Sequence, residues 1–172
     1  AVLAVTPKDG RAEAAAETQY TWDLAEFYAS KSAWTTEVAR LRSEVDYLAP
    51  YAGKLGDDAS TLLSALDANS AYRRELARLW TYASNLRNTN LGAPEGQEMV
   101  GQMQALTQSV SAAQSFFVPE IVGLGEARIM EYIAVEPGLE KHSLYLRDAL
   151  RQGKHVLSPE SEKVLSLMST AL

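Results

Sequence analysis

At 172 residues, with 47% hydrophobic and 22% charged residues, the chain has the composition of an ordinary globular protein and is long enough for one domain with a sizeable core. Its formal net charge of -6 disfavours nucleic acid and anionic membranes as partners. The chain has no cysteine, which excludes disulfides, thiolate metal sites and cysteine nucleophiles, and no apolar run approaches the roughly 18 residues of a transmembrane helix.

The start of the chain shows no helical or strand periodicity, and we predict that residues 1–20 form a disordered lead-in. Residues 21–172 are predicted to form one helical domain. Aromatic side chains are dense where this domain begins, at Trp22, Phe27 and Tyr28. Because aromatic clusters mostly serve burial, we expect a plug that packs onto the helices rather than a ligand site.

The first main helix is predicted to begin at Ser30 or Ser32, either of which can cap it. Its apolar positions recur at spacings of four and three: Trp34, Val38, Leu41, Val45 and Leu48. This pattern predicts one continuous apolar stripe that ends where Pro50 and Gly53 stop the helix.

A shorter helix is predicted to follow Asp57 and Asp58, because negative charge is favourable at a helix N-terminus. Asn69 or Ser70 is then predicted to cap a new and longer helix.

That longer helix is one arm of a predicted helical hairpin over residues 69–117. Its apolar positions are Tyr72, Leu76, Leu79, Ala83 and Leu86, with Trp80 widening the stripe. The second arm carries Met99, Met103, Leu106, Val110, Ala113 and Phe117. Gly92 and Pro94 lie between the arms, and so short a connection requires that the two helices run antiparallel.

Helix-breaking residues recur after the hairpin. Pro119 is predicted to end the preceding helix, with Gly123 and Gly125 loosening the link. Shorter helices are expected over residues 126–133 and 139–152, and another from Ser158. Since no period-2 run of β-branched residues occurs, we predict an all-α fold: an antiparallel helical bundle built around a long central helical hairpin, with shorter C-terminal helices.

Residues that could carry chemistry are sparse. The two histidines, His142 and His155, lie outside any H-E-x-x-H motif, so we predict no catalytic residue and no metal ligand, although a metal shared between them stays open. His155, between two helix-end signals, is expected to bond backbone groups. Arg73, Arg74 and Arg78 form a basic strip, which in an acidic chain indicates a solvated helix face more than a nucleic-acid site.

Four stretches taken together resemble a known family. They are Trp22-Asp23-Leu24 with Phe27-Tyr28, Leu79-Trp80-Thr81-Tyr82-Ala83-Ser84, Phe116-Phe117-Val118-Pro119-Glu120-Ile121, and Lys154-His155-Val156-Leu157-Ser158 followed by Glu160 and Glu162. In this order and spacing they resemble the N-terminal region of oligoendopeptidase F, a thimet-oligopeptidase-like zinc metallopeptidase. We take Trp22, Tyr82, Glu120 and His155 as the structural signature of that resemblance.

The resemblance implies a non-catalytic helical domain that helps to cover and wall the channel of an oligopeptide-cleaving zinc endopeptidase. It implies zinc in the parent enzyme and none in this part, because H-E-x-x-H lies further along in the family. The implied partners are the catalytic domain of the same chain and short peptides, with no nucleic acid and no membrane. A cytoplasmic location is the family default, and the Ala-rich start leaves a periplasmic one open.

Two other interpretations remain. The chain could be a stand-alone helical protein-interaction module without a peptidase partner, or a helical RNA-binding protein that uses the arginine strip. The predicted last helix is still in apolar phase at Leu172, which indicates a piece of a longer protein. The resemblance implies that this protein is a peptidase and that the chain stops before its catalytic domain.

Overall fold

The computed structural model describes residues 24–89 and 91–153, and the regular structure in these ranges is helical. The α-helices are α1 (Lys31–Ser43), α2 (Ala59–Thr89), α3 (Pro94–Ala113), α4 (Phe117–Val135) and α5 (Ser143–Gly153). Short 3₁₀ helices cover Leu24–Glu26, Ala49–Tyr51 and Pro137–His142. No strand occurs within these ranges, and the predicted all-α class is confirmed.

Local signals in the sequence explain where several helices begin. The side chain of Ser30 accepts a hydrogen bond from the Ala33 N–H at 3.2 Å and caps α1 as predicted. Asp58 does the same for α2, since its Oδ1 accepts from the Thr61 N–H at 2.7 Å. Pro94 is at the start of α3, where its missing N–H costs no helical hydrogen bond.

The predicted hairpin is formed by α2 and α3, which pack against each other. Their facing side chains are buried: Tyr72, Leu79 and Ala83 on α2, and Met99, Met103, Leu106 and Val110 on α3. The helices approach closely at Gly96, where a Cβ atom would lie 2.5 Å from the Arg87 Cα. Glycine is therefore required at this crossing, a constraint that the heptad pattern does not reveal.

The apolar interior is divided into two cores, and α2 runs through both. The hairpin core contains Trp34, Val38, Leu41, Tyr72, Leu79, Tyr82, Ala83, Met99, Val100, Met103, Leu106 and Val110. The C-terminal core contains Leu48, Leu55, Ala59, Leu62, Ala65, Leu66, Phe117, Ile121, Ile129, Tyr132, Leu139, Leu146 and Ala149.

This division corrects the prediction for the first helix. The chain leaves helical geometry after Ser43, well before Pro50, and residues 44–48 are turns. Leu41 is in the hairpin core, whereas Leu48 is completely buried in the C-terminal core. A straight helix cannot bury Leu41 in one core and Leu48 in the other. The predicted continuous stripe is therefore broken between these two leucines.

The predicted helix boundary at Asn69 or Ser70 is also wrong. Residues 59–89 form one helix of 31 residues, and Asn69 lies in its interior with only 3% of its surface exposed. The Asn69 side chain accepts hydrogen bonds from Tyr47 and Arg73, and is therefore not used as a cap. Tertiary partners have overridden a local start signal.

The predicted end of the hairpin is displaced as well. Helix α3 ends at Ala113, and Phe117 begins α4. Pro119 does not break a helix, because it lies in the first turn of α4, where its missing N–H is not needed. The expected loosening occurs at Gly125, whose φ of 74° and ψ of 163° kink α4.

The predicted helix over residues 139–152 begins later than expected, since Pro137–His142 is a 3₁₀ helix and α5 starts at Ser143. The lead-in of residues 1–20, the signature residues Trp22 and His155, and the helix predicted from Ser158 lie outside the described residues.

Candidate functional site

The signature residue Tyr82 lies in an aromatic cluster at one end of the hairpin core. Its ring is 5.6 Å from that of Tyr28 in an edge-on arrangement and 6.5 Å from that of Trp34 in a stacked one. The Trp34 indole N–H donates to the Leu79 carbonyl at 3.0 Å. Phe27 and Tyr28 pack against this core, which confirms the predicted aromatic plug for its described part.

The arginine strip takes part in the same packing. The Arg78 guanidinium donates to the Phe27 carbonyl at 2.7 Å and lies 5.1 Å from the centre of the Tyr28 ring. Arg73 donates through Nε to the Asn69 side chain at 3.0 Å. Two of the three arginines therefore donate hydrogen bonds within the protein. The strip is not an uninterrupted cationic surface of the kind that nucleic acids require.

Glu120, another signature residue, joins distant parts of the chain. It is in the first turn of α4, and its Oε1 accepts a hydrogen bond from the Gly53 N–H at 2.7 Å. Gly53 has a φ of 74°, so the turn after α1 depends on glycine here. The arrangement positions a turn, and neither residue is placed as an acid or a base.

A polar junction lies where the two cores meet, and it consists of Tyr47, Asn69, Gln114 and Arg73. The Tyr47 hydroxyl donates to the Asn69 Oδ1 at 2.9 Å and accepts from the Gln114 side-chain amide. The Tyr47 ring stacks on Tyr72 at 4.2 Å. Burial raises the pKa of Tyr47 well above its usual range, so its hydroxyl keeps its proton and can serve as a donor at neutral pH.

His142 is buried, and its Nε2 is 2.7 Å from the Asp67 Oδ1. Lys141 contacts the same carboxylate, and hydrogen bonds from Lys141 and then His142 lower the pKa of Asp67. Among the described residues, no group of three or more His, Cys, Asp or Glu side chains could hold a metal ion. The described part of the chain therefore does not fit a zinc site, and a site shared with His155 lies outside it.

The described residues of the hairpin form a groove with a volume of about 710 Å³. We call it the hairpin groove, and its lining residues are Arg73, Leu76, Ala77 and Trp80 from α2 and Gln104, Thr107 and Gln108 from α3. Sequence reasoning placed Trp80 at the edge of the buried stripe, but 36% of its surface is exposed in this groove. The spacing of residues 73, 76, 77 and 80 was the available signal, since positions three and four apart share a helix face.

Comparison with known proteins points to one group of peptidases. A family model described as Oligopeptidase F matches residues 120–172. Group B oligopeptidase PepB of Streptococcus agalactiae is 28% identical over 150 residues, which are 87% of this chain and 25% of that protein. Oligopeptidase PepF of Bacillus subtilis is 29% identical over 152 residues, 88% of this chain and 23% of that protein.

The matched segments are the N-terminal parts of these relatives. This chain is therefore similar to the N-terminal part of oligoendopeptidase F. It spans about a quarter of the length of the curated relatives that it matches.

The fold agrees with this relationship. A crystal structure from Chlamydophila abortus, of a protein assigned as a peptidase, superposes with a TM-score of 0.67 over 87% of this chain and 25% of that one, at 22% identity. Within this fold, Tyr82 packs in an aromatic cluster and Glu120 fixes a turn. None of the described helices is long and apolar enough to cross a membrane.

Proposed function

We propose that this chain is the non-catalytic N-terminal helical region of an oligoendopeptidase F-like zinc metalloendopeptidase, with residues 21–172 as the helical domain. Its role is to help cover and wall the channel that admits short peptides to a catalytic domain in the same chain. The observation that carries the proposal is the alignment, which takes in 87–88% of this chain but only 23–25% of the oligopeptidases. By family default we place the enzyme in the cytoplasm.

The physical organisation of the region suits a wall. Helix α2 has 31 residues and is therefore about 46 Å long at 1.5 Å per residue, long enough to cross a small domain. Both cores are built on it, so the helix cannot move without disturbing buried side chains at either end. Zinc belongs to the catalytic part under this proposal, as the resemblance to oligoendopeptidase F implies.

The first test is the sequence of the intact reading frame. We expect it to continue into an H-E-x-x-H motif downstream of this chain. A frame that ends without such a motif would contradict the proposal and favour the stand-alone interaction module.

The second test addresses the channel wall. The full-length enzyme should cleave short peptides and spare an unfolded protein, and a variant without residues 21–172 should lose this discrimination. Zinc content, measured on both proteins, controls for loss of the catalytic fold. Equal discrimination by two zinc-loaded proteins would contradict the walling role.

A further inference from the structure

The hairpin groove has an unusual charge for this protein. Among the described residues, its lining contains one cation, Arg73, and no carboxylate, whereas the whole chain has a formal net charge of -6. The floor is apolar, with Leu76 and Ala77 between the two helices and the Trp80 indole at one end. A ligand that enters this groove meets a positive charge at one end and an aromatic surface at the other.

The polar groups of the lining are available to such a ligand. Arg73 donates through Nε to Asn69, and this bond fixes its side chain, while its terminal nitrogens bond no other described residue. A guanidinium held in this way offers the paired N–H groups that match a carboxylate. Within the described residues, the side chains of Gln104, Thr107 and Gln108 also form no hydrogen bond. Amide and hydroxyl side chains of this kind can pair with the N–H and C=O groups of a peptide backbone.

We propose that the hairpin groove binds the C-terminal end of a short peptide, with the terminal carboxylate at Arg73 and an apolar side chain against Trp80. This inference rests on the proposed function, and it assigns part of the peptide contact to this region. An acidic or phosphorylated chain is a poorer match, because the described lining offers one cation and an apolar floor.

The spacing of the lining defines which peptide residue reaches Trp80. Arg73 and Trp80 are seven positions apart on α2, or about 10 Å along the helix axis. An extended peptide advances about 3.3 Å per residue, so this distance corresponds to roughly three residues. The apolar side chain should therefore be about three positions before the C-terminal residue.

The binding test uses the 172-residue chain and the probe peptide acetyl-Leu-Ala-Ala-Ala, either as the free acid or as its C-terminal carboxamide. Nuclear magnetic resonance titration would follow the indole N–H signal of Trp80, assigned with a Trp80→Phe variant. We expect the acid to bind at least about tenfold more tightly than the carboxamide, because one charge-assisted pair is lost. No binding of the acid, or equal binding of the two forms, would overturn the proposal.

Matched variants locate the site. Arg73→Gln should abolish the preference for the acid, whereas Arg74→Gln, which removes the same charge outside the groove lining, should preserve it. Because Arg73 also bonds Asn69, a second pair avoids that contact. Thr107→Glu should weaken binding of the acid by repulsion, and Gln102→Glu, on the same helix outside the lining, should not. Equal effects within either pair would overturn the assignment.

Hydrolysis by the full-length protein separates this inference from the proposed function. A raised KM for free-acid peptides in the Thr107→Glu enzyme supports the groove. Unchanged hydrolysis by this variant would contradict peptide binding in the groove and leave the peptidase assignment intact. A reading frame without H-E-x-x-H, together with carboxylate-dependent binding, would contradict the peptidase assignment and support the groove as a peptide site.

Discussion

Replacing Leu106 by alanine tests whether the facing sides of α2 and α3 hold the hairpin together. Leu106 is 1% exposed and lies in the hairpin core with Met103 and Val110. Truncating a leucine buried to this degree removes its transfer free energy and leaves a cavity, and the two effects together cost roughly 2–5 kcal/mol. Since about 1 kcal/mol corresponds to a shift of roughly 2–4 °C for a chain of this size, the melting temperature should fall by about 4–20 °C.

Urea unfolding followed by circular dichroism at 222 nm, with thermal melts alongside, measures this cost. The matched control is Leu144→Ala, which deletes the same atoms from a side chain that is 73% exposed on α5 and should change stability by less than about 0.5 kcal/mol. Equal shifts in the two variants would show that the helical phase assigned to α3 is wrong. A changed slope in urea would indicate an altered unfolded state rather than a lost core contact.

Three further perturbations test other contacts. Tyr47→Phe removes the hydroxyl that joins two buried amides, and urea unfolding should show a loss of about 1–3 kcal/mol. Glu120→Gln weakens the acceptor for the Gly53 N–H and should cost about 1 kcal/mol, with no change for the exposed control Glu126→Gln. Burial raises the pKa of Tyr72 from 10.0 to about 12, so its stabilisation is complete below pH 10 and is lost as pH rises towards 12. Melts across this range should show a smaller loss for Tyr72→Phe, and equal losses would contradict the assignment.

The parts of the fold that the sequence predicts are those fixed by local chemistry. Ser30 and Pro94 mark helix starts, because a side-chain oxygen or a missing N–H acts within one turn. The apolar spacing of α3 predicts its buried face for the same reason, since 3.6 residues per turn places those positions on one side. These signals are sufficient for the all-α class and for the hairpin.

The errors arise where distant residues decide the outcome. Asn69 has the side chain of a good cap, yet its oxygen is used by Tyr47, which is 22 positions away. Leu48 continues the apolar spacing of α1, but its side chain is buried in the C-terminal core. The hairpin groove escaped prediction because no spacing on α2 alone shows that three uncharged polar residues of α3 lie opposite Trp80.

The oligoendopeptidase F resemblance includes residues whose contacts are distant in sequence. Tyr82 and Glu120 contact partners far along the chain, and both belong to the stretches that carry the resemblance. Their use as a structural signature stays a prediction, which the Glu120→Gln measurement addresses directly.

Complementation tests the central claim most directly. The remainder of the reading frame would be expressed separately, and hydrolysis of short peptides and of an unfolded protein would be measured for each part alone and for the mixture with this chain, with co-elution on gel filtration as the binding readout. We predict that this chain alone neither binds zinc stoichiometrically nor cleaves peptides, and that the remainder alone cleaves short peptides and an unfolded protein alike. The mixture should co-elute, cleave short peptides in a zinc-dependent reaction and spare the unfolded protein. Zinc-dependent cleavage by this chain alone would contradict the account.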